Sequence, residues 1–272
     1  MLGLLTPRVV ARSAGRYRQL ELDDSVFSRS RTVLEKALQD GKPRTQHELL
    51  AEANIPATGG QGLHILGHWA QKGLICFGPR IDKQPSFVLL DEWVPKSRAL
   101  EREEALAELA RRYFRSHGPA TLQDFVWWSG LTVADAKMGL ELVNSELTHA
   151  DVDGETYWFE DADFTDKPAP QLLPFFDEFL VAYKDRSAVL EAFKVRQVNA
   201  GGGLLNPTIV LDGKVVGTWK RRLEKSRVLL TVSPFTPFDK TQMKASEIAA
   251  ERYGKFLGLP VVPGAPSERS DR

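Results

Sequence analysis

The order of periodicities along the 272-residue chain predicts an α+β protein. Three observations carry that expectation. Helical spacing dominates the first half, broken by two stretches that alternate like antiparallel hairpins. Strand-like alternation then takes over around Asp212-Gly213, and one helix closes the pattern. One phrase is also written twice, as "PRTQHELL" and "PATLQDF": Pro, any residue, Thr, two residues, an acid, then a large apolar residue.

Residues 2–19 read as a helix with arginines at 8, 12, 16 and 18, in which Pro7 must occupy the first turn or interrupt it. "DDSVFSRSRTVLEKALQDG" sets Val26, Leu34 and Leu38 at helical spacing, with Asp23 or Asp24 as cap and Gly41 as stop. Thr45 followed three residues later by Glu48 is a capping box, which satisfies two amides that a helix start leaves unpaired. "TGGQGLHILGHWAQKG" predicts another helix, with Leu63, Leu66, Trp69 and Ala70 inward and Gly73 closing it. Strand, Gly-Pro loop and strand follow in "LICFGPRIDKQPSFVLLDE". Three helices and a hairpin make the order of a winged helix-turn-helix, here spanning 23–95.

The order returns at 96–167. A helix over Glu101–Ser116 precedes one capped by Thr121 with Asp124, then one capped by Thr132 with Val133, Ala136, Leu140 and Val143 on one face. A hairpin turning on Asp153-Gly154 completes it. Past Lys167-Pro168-Ala169-Pro170, read as a linker, strands near 207–211, 214–221 and 226–232 and a closing helix make an antiparallel β module at 168–262. The tail at 263–272 has the composition of a disordered segment.

Composition excludes several classes. No apolar run is long enough for a membrane-spanning helix, and the N-terminus reverses the charge order of a signal peptide, so cytoplasmic residence is the default. The single cysteine, Cys76, excludes an internal disulfide and a Cys-rich zinc site. A net charge of zero hides +4 over 1–20, −2 over 21–94, +2 over 95–100, −9 over 101–167 and +5 over 168–272. A polyanion is attracted to the two ends and repelled by the middle.

That asymmetry ranks the candidate sites. In the first module Gln61, His64, His68 and Gln71 or Lys72 project from one helix side, where Gln can pair with adenine and Lys with phosphate or guanine. Arg80, Lys83 and Gln84 in the hairpin are placed for phosphate or groove contact. The other reading of that helix is an ordinary solvated face. His64 and His68 are one turn apart but no third metal ligand follows, so no metal is expected. The second module, at −9, reads as scaffold: Trp127-Trp128 suits base stacking less well than one ring in the core and one under a neighbouring module. The densest cations are Lys220, Arg221, Arg222, Lys225 and Arg227 around one turn, either phosphate contacts or a hairpin edge guarded by charge. Lys184 and Arg186 flank Asp185, a grouping that is structural or part of a nucleic-acid surface. "NAGGGLLNP" lacks the ending and following helix of a phosphate loop. No nucleophile elbow or nucleotide fingerprint is present, and no cofactor is implied.

With the segments assembled, "LTPRVVAR", "GPRIDKQPSFVLLDEWVP", "EALAELARRYFRSHGPATLQDFVWWSGLTVADAK", "LLPFFDEFLVAYKDRS" and "NPTIVLDGKVVGTWKR" follow one another in family order across nearly all of residues 4–260. The chain thereby resembles the AlkZ-like winged-helix family, whose members include DNA glycosylases acting on alkylated or crosslinked bases. The resemblance implies tandem winged helix-turn-helix modules followed by a C-terminal antiparallel β-barrel-like domain, with duplex DNA as partner. It also implies a catalytic Gln–apolar–Gln or Gln–apolar–Asp motif in a first winged helix. No Gln here is followed two positions on by Gln or Asp, so no catalytic residue carries over. Residues 1–22 would then be the remnant helix of a truncated first winged helix. Leu2, Leu4, Leu5 and Val9 would need cover from a protein partner or a missing N-terminal segment over residues 1–20.

Overall fold

The protein, described by a computed structural model, is characterised over residues 2–55, 60–96, 98–161, 169–201 and 204–264. Lys167-Pro168 of the expected linker, Gly202 and Gly203 of the glycine run, and the tail from 265 onward lie outside the described residues. The fold is α+β and divides into two compact units, Met1–Arg112 with Ala134–Val143, and Tyr113–Val133 with Asn144–Arg272. Among the described residues no helix is long and apolar enough to cross a membrane.

The first unit opens with α1 (Leu2–Gln19), and Pro7 lies inside it, unable to donate to the Gly3 carbonyl. Helix α2 (Asp24–Leu38) starts on Asp23, whose carboxylate accepts the Val26 amide. The short β1 (Arg44–Thr45) leads into α3 (Gln46–Glu52) through the complete Thr45–Glu48 capping box. Then come α4 (Gln61–Gln71) and the hairpin β2 (Ile75–Phe77) and β3 (Ser86–Leu89), with β1 joining to give a sheet of order β1-β3-β2. That third strand is too short to leave a periodic signal. A single turn, α5 (Leu90–Trp93), ends the hairpin.

Burial in α4 is rotated from the expected face. Gly62, Ile65, Leu66 and Trp69 are buried, Leu63 is 63% exposed, and His68 is only 8% exposed. At about 100° per residue, the inward stripe centres on Ile65 and Trp69, which leaves Leu63 outside and carries His68 in. Close approach of α3 sets this rotation: a β-carbon on Gly62 would stand 2.3 Å from Leu50. The His68 ring stacks on Phe27 with centroids 4.0 Å apart, and Tyr17 meets it edge-on. Trp69 donates to Ser30, which donates on to the Phe27 carbonyl, so these two polar groups are paired within the core, whereas Nδ1 of His68 is buried without a hydrogen-bond partner among the described residues.

The second helical segment comprises α6 (Arg102–His117), α7 (Leu122–Ser129) and α8 (Val133–Glu141). Within the first unit α8 lies tight against the start of α6: a β-carbon on Gly139 would meet the Leu106 carbonyl at 2.9 Å. Ala136, Leu140 and Val143 are buried as their spacing requires, but Val133 at the helix start is exposed.

In the second unit the repeated phrase acquires an extra function. Thr121 and Asp124 form the expected capping box, with one Asp124 oxygen accepting the Thr121 amide and hydroxyl. Its other oxygen accepts the backbone amide of Lys184 at 2.8 Å. Asp124 is 5% exposed, so these bonds replace its hydration. Tyr113 donates to the Ala182 carbonyl and Tyr183 to the His117 carbonyl. Burial first, and the neighbouring Asp124 charge second, push both phenols above their ordinary value, Tyr113 the further, and keep them donors. The tryptophan pair joins the same segment. Trp127 donates to the Val181 carbonyl and Trp128 to Glu178, so neither ring fills the core as expected.

The hairpin β4 (Thr148–Val152) and β5 (Glu155–Phe159) turns on Asp153 (φ 54) and Gly154 (φ 83), the left-handed pair that a two-residue turn requires. The remaining elements are β6 (Gln171–Leu173), α9 (Glu178–Val181), α10 (Val195–Val198), β7 (Asn199–Gly201), β8 (Leu204–Leu205), β9 (Thr208–Leu211), β10 (Lys214–Leu223), β11 (Val228–Pro234), α11 (Lys240–Leu257) and β12 (Val261–Pro263). Strands β7 and β8 pair with each other, and five others form a sheet of order β12-β11-β10-β9-β6. It is mainly antiparallel, but β12 runs parallel to β11.

The expected barrel-like closure does not form. Strands β6 and β12 are the two edges of an open sheet. Both faces are covered, which removes the drive to curl: Ile209, Leu211, Trp219 and Leu230 pack with Ala245, Ala250 and Tyr253 from α11. On the opposite face Val210 and Val215 pack with Leu180, Leu190 and Val198. Thr208–Leu211 is consequently buried at every position.

Two outcomes test these cores. Asp124→Asn sets an amide NH2 against at least one of the three donors that converge on this carboxylate and should destabilise the protein by about 2–4 kcal/mol in urea denaturation; a change within ~0.5 kcal/mol would refute the clamp. Burial holds His68 below its ordinary 6.5, so it stays neutral when folded while the unfolded chain takes up a proton. Stability is therefore full above that value and falls as pH drops below it. Between pH ~7.5 and ~5.5 the protein should lose more stability than His68→Phe, and equal losses would remove His68 from the explanation.

Candidate nucleic-acid interface

The candidate residues on α4 do not present one polar face. Gln61 donates from Nε2 to the Leu20 carbonyl at 2.8 Å, so its amide is spent inside the unit. His64 is half-buried and edge-on to Tyr17, and His68 is in the core. Gln71 is half-buried, its backbone carbonyl accepting from Thr6 at 2.6 Å. Of these candidates only Lys72 is exposed. The hairpin is different: Arg80, Lys83 and Gln84 are all exposed, and Ile81 and Gln84 bond in both directions to close its tip. Asp82, with φ 53, takes the left-handed position there. Phe77, at the loop end of the β2–β3 ladder, is exposed beside Phe87.

In the second unit Lys184 and Arg186 sit where Asp124 pins the chain. Lys184 is exposed, while Arg186 is half-buried, its Nε buried without a hydrogen-bond partner among the described residues. Asp185 accepts from the amide and hydroxyl of Ser187, and those bonds hold its carboxyl below the usual carboxylate range. The three residues thus form a braced turn.

The cations at the far end of β10 are brought together. Lys220, Arg221 and Arg222 are exposed and pair with Thr231, Leu230 and Leu229 of β11. The connecting turn closes through Glu224, whose amide donates to the Arg227 carbonyl. The Glu224 carboxylate meets Arg227 at 2.7 Å and Arg222 at 3.1 Å, and the Arg227 hydrogen bond holds its pKa below the usual range. Exposed pairs of this kind cost little to open. Residues 220–227 carry a net +4.

Behind this hairpin lies a cleft of about 540 Å³, lined among others by Phe175, Asn206, Trp219, Lys220, Tyr253 and Phe256. The Arg221 guanidinium stands over the Tyr253 ring at 5.5 Å, and Trp219 donates to the Leu173 carbonyl. The sequence reading passed over Phe175, Tyr253 and Phe256. A signal existed in "LLPFFDEF", where two phenylalanines follow a proline outside any apolar period, and in Phe256 beside Lys255 on an otherwise polar helix end.

The family profile described as DNA glycosylase AlkZ-like matches residues 1–256. An interstrand DNA cross-link repair glycosylase of Streptomyces sahachiroi is 28% identical over 215 residues, 73% of this chain and 56% of that protein. The chain therefore spans little more than half the length of that relative. A solved structure of the Streptomyces sahachiroi DNA glycosylase AlkZ matches with a TM-score of 0.72 at 22% identity, covering 97% of this chain and 76% of that one. That likeness shows a shared fold, and the profile spans nearly the whole sequence: the chain belongs to the AlkZ-like DNA glycosylase family.

Proposed function

We propose that this protein binds duplex DNA with strong salt dependence and weak sequence preference, through the β10–β11 hairpin and the β2–β3 hairpin. In this reading each three-helix segment with its hairpin is a winged helix, the β2–β3 hairpin is a DNA-contacting wing, and the second segment serves as scaffold. The observation that carries it is the run Lys220, Arg221 and Arg222, exposed side by side on a paired strand, with Lys225 and Arg227 across the turn. Such cations neutralise phosphates and release counterions, giving affinity without reading bases. The rotated face of α4 supports weak sequence preference, since a helix that has spent Gln61 and buried His68 has few side chains left for base edges.

A second reading, excision of modified bases, is favoured by the family and by the relative named for interstrand cross-link repair. We assign no residue of this chain to that chemistry. Incubating the chain with alkylated duplex separates the two readings: binding alone gives no abasic sites, and abasic-site formation above background would establish the second.

Fluorescence anisotropy with a labelled duplex tests the binding. Affinity should fall steeply between low and moderate salt, and charge reversal at Lys220, Arg221 and Arg222 should weaken it by about ten-fold or more. Reversal at Lys137, which already faces Glu141 at 3.7 Å, should change little. Equal losses at the two places, or no binding at low salt, would contradict the proposal.

A further inference from the structure

The cleft behind the basic hairpin has properties that phosphate contact alone leaves unused. Phe256 is 83% exposed and Phe175 58% exposed, although both line a concave site rather than a convex edge. Their surroundings are fixed: buried Trp219 is anchored to the Leu173 carbonyl, Tyr253 meets it edge-on at 5.2 Å, and Arg221 caps the tyrosine ring. Among the described residues no carboxylate lines the cleft. Another cleft on this unit, about 480 Å³, has Glu247 and Glu251 in its lining and would repel a polyanion. Aromatic faces beside fixed cations are the combination that holds unstacked bases, because every base has a π-face and every nucleotide a phosphate. Asn206 adds an amide whose contact with the Gln197 carbonyl is long, at 3.5 Å, and free to be exchanged for a base edge.

The geometry points to a seat for an unpaired nucleobase of DNA in this cleft, stacked on Phe175 or Phe256, with its flanking phosphates on Lys220 and Arg221. This rests on the DNA-binding reading above. It differs in predicting a preference for DNA that offers a base outside the stack, whether in a bulge or in a single strand.

The test compares three labelled probes by anisotropy: a fully paired duplex, the same duplex with a one-base bulge, and an oligo-dT single strand. The protein should prefer the bulge over the paired duplex by about ten-fold. A 2-aminopurine at the bulge should lose fluorescence on binding. In Phe175→Ala/Phe256→Ala that preference and quenching should vanish while duplex affinity persists, and Phe256→Trp should retain both. Preference for the single strand alone would assign the cleft to displaced strands, and preference for the bulge alone to bases extruded from a duplex; either supports the seat. Equal affinity for all three probes, or a preference that survives the double substitution, would overturn it with duplex binding intact. No binding to any probe would defeat the duplex reading as well. A dimer in light scattering that the double substitution breaks would show a second copy as the occupant and overturn the seat.

Discussion

One buried carboxylate organises the second unit. Asp124 is placed by the helix start it caps, but only one of its oxygens is needed there. The other reaches a backbone amide sixty residues away in sequence, at Lys184. Donation to a charged acceptor in a dry site is stronger than an ordinary hydrogen bond and hard to replace. The segment it holds is also bound by two tyrosine hydroxyls and two indoles. It then continues into Leu190, which packs on Val210 and Val215 of the sheet. The cap, the aromatic contacts and the sheet's covered face are therefore one cooperative structure, and the sheet that presents the basic hairpin depends on it.

The same economy shapes the charges. Among the cations of the acidic stretch, Arg111 and Arg112 share Glu108, Lys137 faces Glu141, and Arg115 lies near Glu146 and Glu160. Each faces a carboxylate within one or two turns or across a neighbouring element. Residues 220–227 at the end of the β10–β11 hairpin have one carboxylate, Glu224, against five cations. Lys220 and Lys225 remain outside its reach among the ion pairs described, and Arg221 is turned to a ring rather than to an acid. Local field follows from what is left after such pairing, which is why a chain of zero net charge can still carry a surface suited to polyanions.

Much of this was legible in the sequence because local chemistry decided it. Thr45 with Glu48 and Thr121 with Asp124 fixed two helix starts, Asp153-Gly154 and Asp212-Gly213 fixed two turns, and the concentration of cations at 220–227 needed only counting. What was not legible depended on partners distant in the chain. The rotation of α4 follows from Leu50 pressing on Gly62, and nothing in the helix's own period distinguishes Leu63 outward from Leu63 inward. Size and apolarity assign one of Trp127 and Trp128 to the core and one to a neighbouring module, yet their N–H groups decided where both went. The sheet read as a barrel because alternation reveals strands but not whether helices will cover both faces. The aromatic cleft was invisible for a related reason: its residues come from the ends of β6, β10 and α11, which are far apart in sequence.

In the proposed mode of binding, DNA engages the β10–β11 hairpin and the cleft beside it. Hydrogen exchange followed by mass spectrometry, with and without saturating duplex at low salt, examines this without any substitution. Exchange should slow in peptides covering 218–228 and stay unchanged over 133–143. Protection confined to 133–143, or none anywhere with DNA demonstrably bound, would contradict it.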